Sequence, residues 1–396
     1  MSLPTGAGAQ RLMRPLGTFY FASFAALGLQ APYFPLWLEA HGFEGLAMGV
    51  IAALTPAMSF FGPPLVGALA DARGARGNLL SAACALSCSG MAGLCLAELL
   101  GAGGRFSLVF CAVLPFAACR SPIIMLADRI TLEQGGNYGR RRVWGSIGFM
   151  VAATAFGRWC PPEAWRWLPG MVALALAAAF SQSLRLPRAG GKLCAEPGTE
   201  RRWLPGRAFL PFALCTALSA ASASSYDLCG ALFFRDLGAS GNTIGLLYGT
   251  AVLAEVGLLA SVGTLLARIG PERMLVAAYA AAALRWLGMA CLGSTALAFA
   301  LQPLHALSFA LAWIASLEYV RRVAGPHALG GAQGGFMAAT AAGGVVGMLC
   351  WGPLYASRGG AAVFLCAALL SAVAAVLALA TLVRPVRPLS LASSGA

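Results

Sequence analysis

A small set of charged or titratable side chains stands inside long apolar stretches of the sequence, where such groups bind ions, protons or polar ligands. If these stretches cross a bilayer, each charge at the centre costs about 2.5–3.5 kcal/mol on insertion scales, so each one retained indicates a functional site. Glu255 and Arg285 are the pair best suited to neutralise each other, and protonation of Glu255 would then release Arg285. The full set is Arg120, Asp128, Asp227, Glu255, Arg285 and His305.

Four of these side chains also have simpler interpretations. Asp128 could mark only the end of its apolar stretch, because an arginine follows it directly. Asp227 could be a substrate ligand or a solvated cap near the outer end of its helix. His305 could be a core histidine bonded to a backbone carbonyl. Arg120 stands two residues before a proline and could support a broken helix, because proline frees backbone groups that a guanidinium can bind.

The elements that must position these groups are membrane helices. Hydrophobic residues make up 59% of the 396 residues, charged residues only 10%, and there are 49 glycines, which lies outside the range of soluble domains. Stretches of about 20 apolar residues are long enough to span a bilayer as helices. The sequence therefore predicts an all-α integral membrane protein with twelve spans: 16–38, 46–70, 79–100, 106–128, 143–160, 164–184, 209–234, 241–267, 274–294, 296–319, 331–354 and 361–383.

The arginines predict how the spans are oriented. Lys and Arg accumulate in short cytoplasmic segments, and most basic residues fall in alternate loops and at both ends of the chain. Both termini are therefore predicted to be cytoplasmic, with the plasma membrane as the location and without a cleaved signal peptide. A polar stretch at 185–208 divides the chain into six-helix bundles at 1–184 and 209–396.

Several classes of function are excluded on composition. The net charge of +13 follows from the arginine-rich loops, and no soluble basic module indicates a nucleic-acid partner. Most of the twelve cysteines fall within spans, without CxxC pairs or Cys/His clusters. We expect no metal and no cofactor, and no catalytic or nucleotide-binding motif indicates an enzyme. An ion gradient is then the available source of energy.

A short loop between spans 2 and 3 combines glycines with charges. It contains Gly67, Asp71, Arg73, Gly74 and Arg76. Glycine permits a tight turn, and the aspartate and arginines can make charge-assisted bonds to neighbouring helix ends. We expect these bonds to latch the two bundles together on the cytoplasmic side, although the loop could also be no more than a solvated basic segment. The loop between spans 8 and 9 repeats the Arg, Gly, Arg order without the aspartate.

The GxLADxxGxR pattern of this loop resembles the signature of the major facilitator superfamily, and the six-plus-six layout agrees with that fold. Within the superfamily, residues 31–38, 138–149 and 302–310 are similar to phenylpropionate-permease and lactose-permease-like proton symporters. The resemblance implies a transporter that works by alternating access between its two halves.

The resemblance also implies roles for particular residues. Glu255, Arg285 and His305 correspond to the carboxylate, arginine and histidine that such symporters carry in spans 8, 9 and 10. These symporters place a glutamate three residues after the histidine as the proton carrier, and here that position is Ser308. Proton coupling would then pass to Glu255, the favoured position, or to Asp128.

A second set of correspondences concerns the substrate. Arg142 resembles the sugar-binding arginine of span 5, but the position of its partner carboxylate falls at Ile124, and Phe149 replaces a stacking tryptophan. A galactoside is therefore not expected. The aromatic residues of span 1, among them Tyr20 and Tyr33, could line a cavity for an aromatic or amphipathic substrate or could face lipid and neighbouring helices.

We therefore expect a secondary active transporter that imports a small organic solute by proton symport and acts as a monomer. Two alternatives remain open. The chain could export drugs or metabolites by proton antiport, or it could be a receptor that uses a transporter fold without transport.

Overall fold

The described part of the chain is a set of helices joined by short turns. The computed structural model describes residues 6–134, 138–187, 206, 209–259, 262–324 and 328–383. Most of the predicted linker at 185–208 lies outside the described residues. The α-helices are α1 (Gly6–Ala40), α2 (Gly45–Arg73), α3 (Arg76–Leu99), α4 (Phe106–Glu133), α5 (Tyr138–Trp159), α6 (Leu168–Ser183), α7 (Phe209–Asp236), α8 (Gly241–Leu259), α9 (Val262–Ile269), α10 (Pro271–Ala290), α11 (Thr295–Leu301), α12 (Ala312–Ala324) and α13 (Leu329–Thr381).

Two irregular segments complete these elements. A 3₁₀ helix at Pro162–Trp167 leads into α6, and a π-helical turn at Ala306–Leu311 joins α11 to α12. The helix α13 is broken at Gly359, whose φ of 75° and ψ of 179° are not helical, so it consists of two arms. Seven described helical segments are long and apolar enough to cross a bilayer: α2, α3, α4, the 3₁₀ helix with α6, α7, α11 through α12, and α13 counted as one. The predicted all-helical membrane class is therefore confirmed.

The helices pack in two sets with a limited junction between them. In the N-terminal set, α1 packs on α5 and α6, α3 packs on α4 and α6, and α2 packs on α4. In the C-terminal set, α13 packs on α7 and α10. The main contacts between the sets are those of α2 with α13 and of α5 with α8.

The two ends of the molecule differ in how their apolar residues are buried. We call the end that carries Arg73, Arg129 and Arg321 the arginine-rich side, and the end that carries Glu39 and Arg235 the opposite side. On the opposite side, buried residues of both sets form one shared core, which includes Trp37, Phe156, Leu232, Tyr248, Met348 and Phe364.

On the arginine-rich side, the buried residues form two separate cores. One belongs to the N-terminal set and includes Phe19, Leu80 and Leu126. The other belongs to the C-terminal set and includes Phe212 and Tyr319. Among the described residues, buried apolar side chains join the sets at one end only, so the protein is closed on the opposite side and its halves separate toward the arginine-rich side.

Candidate functional site

A cavity of about 390 Å³ lies between the two sets of helices. Its walls come from α1, α2 and α4 on one side and from α7, α10, α12, α13 and the π-helical turn on the other. Residues of the shared core, including Ile51 and Met348, close it toward the opposite side. A site lined by both sets is positioned to sense their relative movement.

Two charged side chains line this cavity, and they come from different sets. Arg120 lies on α4 and is half-buried, whereas Asp227 lies on α7 and is exposed to the cavity. The helix α4 continues through Pro122, so Arg120 does not support a broken helix. Asp227 lies nine residues before the end of α7, so the structure also places it away from the helix end.

Arg285 lies on α10 and is fully buried, with only 1% of its surface exposed. Its guanidinium stacks on Tyr226 at 4.4 Å and on Trp286 at 4.5 Å from the ring centroids. One of its nitrogens lies 3.1 Å from Nδ1 of His305, and another donates to Oε1 of Gln302 at 3.3 Å. The structure therefore brings together the predicted arginine and histidine, with Gln302 as a partner that sequence reasoning missed.

The predicted pairing of Glu255 with Arg285 requires a correction. Among the described ion pairs, none joins these two side chains. Arg285 stacks on Tyr226, which in turn stacks on Tyr248 of α8 at 4.9 Å. Glu255 is seven residues further along α8, roughly 10 Å away at 1.5 Å per residue. The helix α8 packs instead on α5 of the N-terminal set, which carries Arg142, and Arg142 is near enough for its charge to act on Glu255.

A second polar cluster joins α1, α4 and α5. Asp128 forms an ion pair with Arg142 at 3.7 Å and accepts a hydrogen bond from the hydroxyl of Tyr20 at 2.7 Å. The guanidinium of Arg142 also stacks on Phe24 at 4.1 Å from the ring centroid. The carboxylate partner of Arg142, which the resemblance placed at Ile124, is therefore present one helical turn later.

The other predicted substrate ligands lie away from the cavity. Tyr33 is completely buried, and its hydroxyl donates to the carbonyl of Ala153 at 2.7 Å and to that of Gly241 at 3.0 Å. These bonds connect α1, α5 and α8 in the shared core. Phe149 packs against the same core. Both aromatic side chains therefore support the closure on the opposite side.

The glycine-rich loop after α2 folds as a tight ion-pair cluster within the N-terminal set. Gly74 ends α2 with a φ of 59°, a conformation that glycine adopts without steric cost, whereas Gly67 lies inside the helix near Met125. The fully buried Arg76 binds Asp71 at 3.1 Å and also binds Glu133.

Two further arginines of this region differ in their contacts. Arg129 binds Asp71 at 3.0 Å, whereas Arg73 is exposed. The described partners of Asp71, Arg76 and Arg129, thus belong to the N-terminal set. The predicted latch between the two halves is not formed in this conformation, because the halves are apart on the arginine-rich side.

A corresponding cluster follows α9 in the C-terminal set. Gly270 has a φ of 83° and precedes α10. Glu272 lies 3.8 Å from Arg322, and Arg322 also binds Glu318 at 3.0 Å. This loop has no aspartate before its glycine. Glu272, which follows Gly270, supplies the carboxylate instead.

The opposite side carries a charged contact between the sets that sequence reasoning missed. Glu39 at the end of α1 binds Arg235 at the end of α7. Arg235 also binds Asp236 at 2.7 Å, and Asp236 accepts a hydrogen bond from the hydroxyl of Tyr355 at 2.5 Å. Opposite charges at the same end of spans 1 and 7 were the available signal.

Comparison with known proteins agrees with this architecture. Residues 13–366 match the family described as MFS_1 like family. The maltose permease of Geobacillus stearothermophilus is 31% identical over 332 residues, which cover 81% of each chain. A probable 3-phenylpropionic acid transporter of Escherichia coli (strain K12) is 22% identical over 315 residues, which cover 78% of this chain and 82% of the relative.

The solved structures add agreement in fold. A crystal structure of a mutant of the nucleoside transporter NupG superposes with a TM-score of 0.83 at 19% sequence identity. The match covers 93% of this chain and 99% of that chain. These findings confirm the resemblance that the loop motif and the helix layout predict.

Proposed function

The chain belongs to the MFS_1-like family of membrane transporters, and we propose that it carries a small organic solute across the plasma membrane together with protons, by alternating access. It is an integral, multi-pass membrane protein, and its relatives are transporters rather than enzymes. In our proposal the twelve predicted segments are the crossings, and the arginine-rich side, with both termini, faces the cytoplasm.

One observation carries the proposal: the two sets of helices share a core on one side only. The shared core closes the cavity from the opposite side, and separate cores leave it accessible from the arginine-rich side. A cavity lined by both sets and closed at one end is what alternating access requires. The structure then corresponds to the inward-facing state.

We propose that Glu255 couples transport to protons, because it lies where the two sets of helices meet. Glu255 belongs to the C-terminal set, but the charge acting on it is Arg142 of the N-terminal set. In this state Arg142 is paired with Asp128. Closure of the cytoplasmic side would bring Arg142 and Glu255 closer, so the protonation of Glu255 would decide how strongly that closure is held.

Uptake into right-side-out vesicles tests the proposal. Radiolabelled maltose and 3-phenylpropionate are suitable first probes, because the relatives are named for these compounds. A pH difference of about 1 unit supplies about 1.4 kcal/mol per proton, which supports roughly tenfold accumulation whatever the charge of the substrate. We expect accumulation that an inward proton gradient drives and a protonophore abolishes. Efflux driven by the same gradient would indicate antiport, and uptake indifferent to the gradient would overturn proton coupling.

Replacement of Glu255 locates the proton. Glu255→Gln mimics the protonated side chain, so we expect exchange of labelled for unlabelled substrate to continue and uphill accumulation to be lost. Glu163→Gln makes the same chemical change at an exposed turn and should leave both activities intact. If Glu255→Gln still accumulates substrate and Asp128→Asn does not, the role belongs to Asp128. If both variants accumulate substrate, neither residue couples transport to protons.

A further inference from the structure

The charges around the cavity do not balance. Asp227 shares the cavity lining with Arg120, and Arg285 stacks on Tyr226, the residue before Asp227 in the chain. Within the described residues, Arg120 and Asp227 form no hydrogen bond and no ion pair shorter than 4.0 Å. Two cations and one anion therefore face each other at the middle of the protein.

The neighbouring titratable groups do not remove this excess of positive charge. Nδ1 of His305 lies 3.1 Å from a guanidinium nitrogen of Arg285, and it can only accept a hydrogen bond there, so that nitrogen carries no proton. The hydroxyl of Tyr226 is directed to Oε1 of Gln302 at 3.2 Å. The described surroundings of Arg285 thus supply aromatic rings and neutral acceptors but no second carboxylate.

The surroundings of Arg120 suit an anionic group attached to an apolar body. A guanidinium has five donors in a planar fork that matches a carboxylate, and none of those of Arg120 is used by a described residue. Ser121 follows it, and its hydroxyl lies 2.7 Å from that of Ser59 across the cavity wall. Further along the cavity, the lining is aromatic: Phe34, Tyr279, Phe309, Trp313 and Phe336.

We propose, on the basis of the transport function proposed above, that the cavity selects an organic monoanion, with its carboxylate on Arg120 and its apolar body against the aromatic lining. Binding of one negative charge makes the cluster of Arg120, Asp227 and Arg285 neutral. A cation would raise its charge to two, and a zwitterion or a neutral sugar would leave it at one. Arg285 is buried and Arg120 is half-buried, so water screens their excess positive charge only in part, and the monoanion is the preferred class.

Equilibrium binding to the purified full-length protein tests this preference separately from transport. Four probes share one skeleton and differ in charge: 3-phenylpropionate, phenylalanine, 3-phenylpropylamine and 3-phenylpropanol. We expect isothermal titration calorimetry to show 3-phenylpropionate binding about tenfold or more tightly than the others. Tighter binding of any other probe or of maltose, or binding of none, would overturn the proposal. Monoanion binding without proton-driven uptake would support this site and contradict the proposed transport mechanism.

Substitutions on the two sides of the cavity have opposite expected effects. Arg120→Gln should weaken 3-phenylpropionate binding about tenfold or more. Arg158→Gln removes an exposed arginine at the end of α5 and should leave binding unchanged. Asp227→Asn removes the competing carboxylate and should strengthen binding of the anion. If Asp227→Asn instead weakens it, Asp227 does not compete with the bound anion and the proposal is wrong, whether or not Arg120→Gln folds.

Discussion

At the scale of single residues, Arg76 shows how a charge becomes indispensable when it is buried. Its side chain is 2% exposed and is bound by two carboxylates, those of Asp71 and Glu133. Loss of the guanidinium removes a partner from both carboxylates, but they are 51% and 31% exposed and stay partly hydrated, so the cost is about 1–2 kcal/mol.

We therefore expect Arg76→Gln to lower the stability of the protein by about 1–2 kcal/mol. Arg73→Gln, three residues earlier at an exposed position, should change it by about 0.5 kcal/mol or less. Thermal unfolding of both variants in the same detergent measures the difference. Equal melting temperatures would show that the cluster around Arg76 does not contribute to stability.

The residues of the site were more predictable than their partners. The cost of charge in a membrane identified Arg120, Asp227, Glu255 and Arg285 from the sequence alone. Their pairing depends on the height of each side chain along its helix, and span boundaries read from hydropathy are uncertain by several residues. The sequence therefore favours Arg285 as the partner of Glu255. In the structure, Glu255 lies two helical turns beyond Tyr248, the α8 residue that is linked to Arg285 through Tyr226.

At the scale of helices, the crossing of α5 and α8 depends on glycine. A methyl group on Gly245 would meet the carbonyl oxygen of Ala153 and the hydroxyl of Tyr33. A methyl group on Gly257, on the same helix, would meet no atom within 4 Å. Both substitutions add the same helix propensity, so they differ only in what they do to the junction between the sets.

We expect Gly245→Ala to destabilise the closure on the opposite side by roughly 1–3 kcal/mol and to shift the protein toward its other state. Gly257→Ala should leave the equilibrium unchanged. Spin labels at Arg73 and Arg268, one exposed position on each set, report the distance between the halves on the arginine-rich side. That distance should shorten in Gly245→Ala. An identical distance distribution in the two variants would contradict a role for the glycine.

Hydropathy predicted the helices well and their irregularities poorly. The predicted spans 331–354 and 361–383 fall on the two arms of α13, because an apolar run of membrane length has few alternatives to a helix. The π-helical turn at Ala306–Leu311 follows from tertiary packing next to the cavity and has no signal in composition. This turn nevertheless places Ser308 and Phe309 in the cavity wall.

At the scale of the whole molecule, the contact of Glu39 with Arg235 joins the two sets on the opposite side. Its side chains are 26% and 37% exposed, so solvent weakens the pair to about 1 kcal/mol. We expect Glu39→Gln to change the population ratio of the two conformations by roughly fivefold, in favour of the one that is open on the opposite side. Glu39→Gln combined with Arg235→Gln should shift the distribution no further than Arg235→Gln alone in the same spin-label measurement, because the pair is already broken. Additive shifts would show that the pair does not hold the closure.

The closed side itself could not be predicted from the sequence. Alternating access requires that the same helices close at either end, so their apolar patterns fit both states. The choice rests on small differences between long-range contacts, such as those of Tyr33 with the α5 and α8 backbones. Such contacts join residues more than a hundred positions apart.

The shared core sets a limit on how stable the protein can usefully be. To change state, the two sets must wet apolar surface on one side, at about 25 cal/mol per Å², while they bury a similar area on the other. Turnover is fastest when the apolar areas buried in the two conformations are nearly equal. A substitution that fills the shared core more completely would raise the melting temperature and slow the transport cycle, because it lowers the free energy of only one of the two conformations. Heat-resistant variants selected in this conformation should therefore be poor carriers, and their turnover should recover on warming.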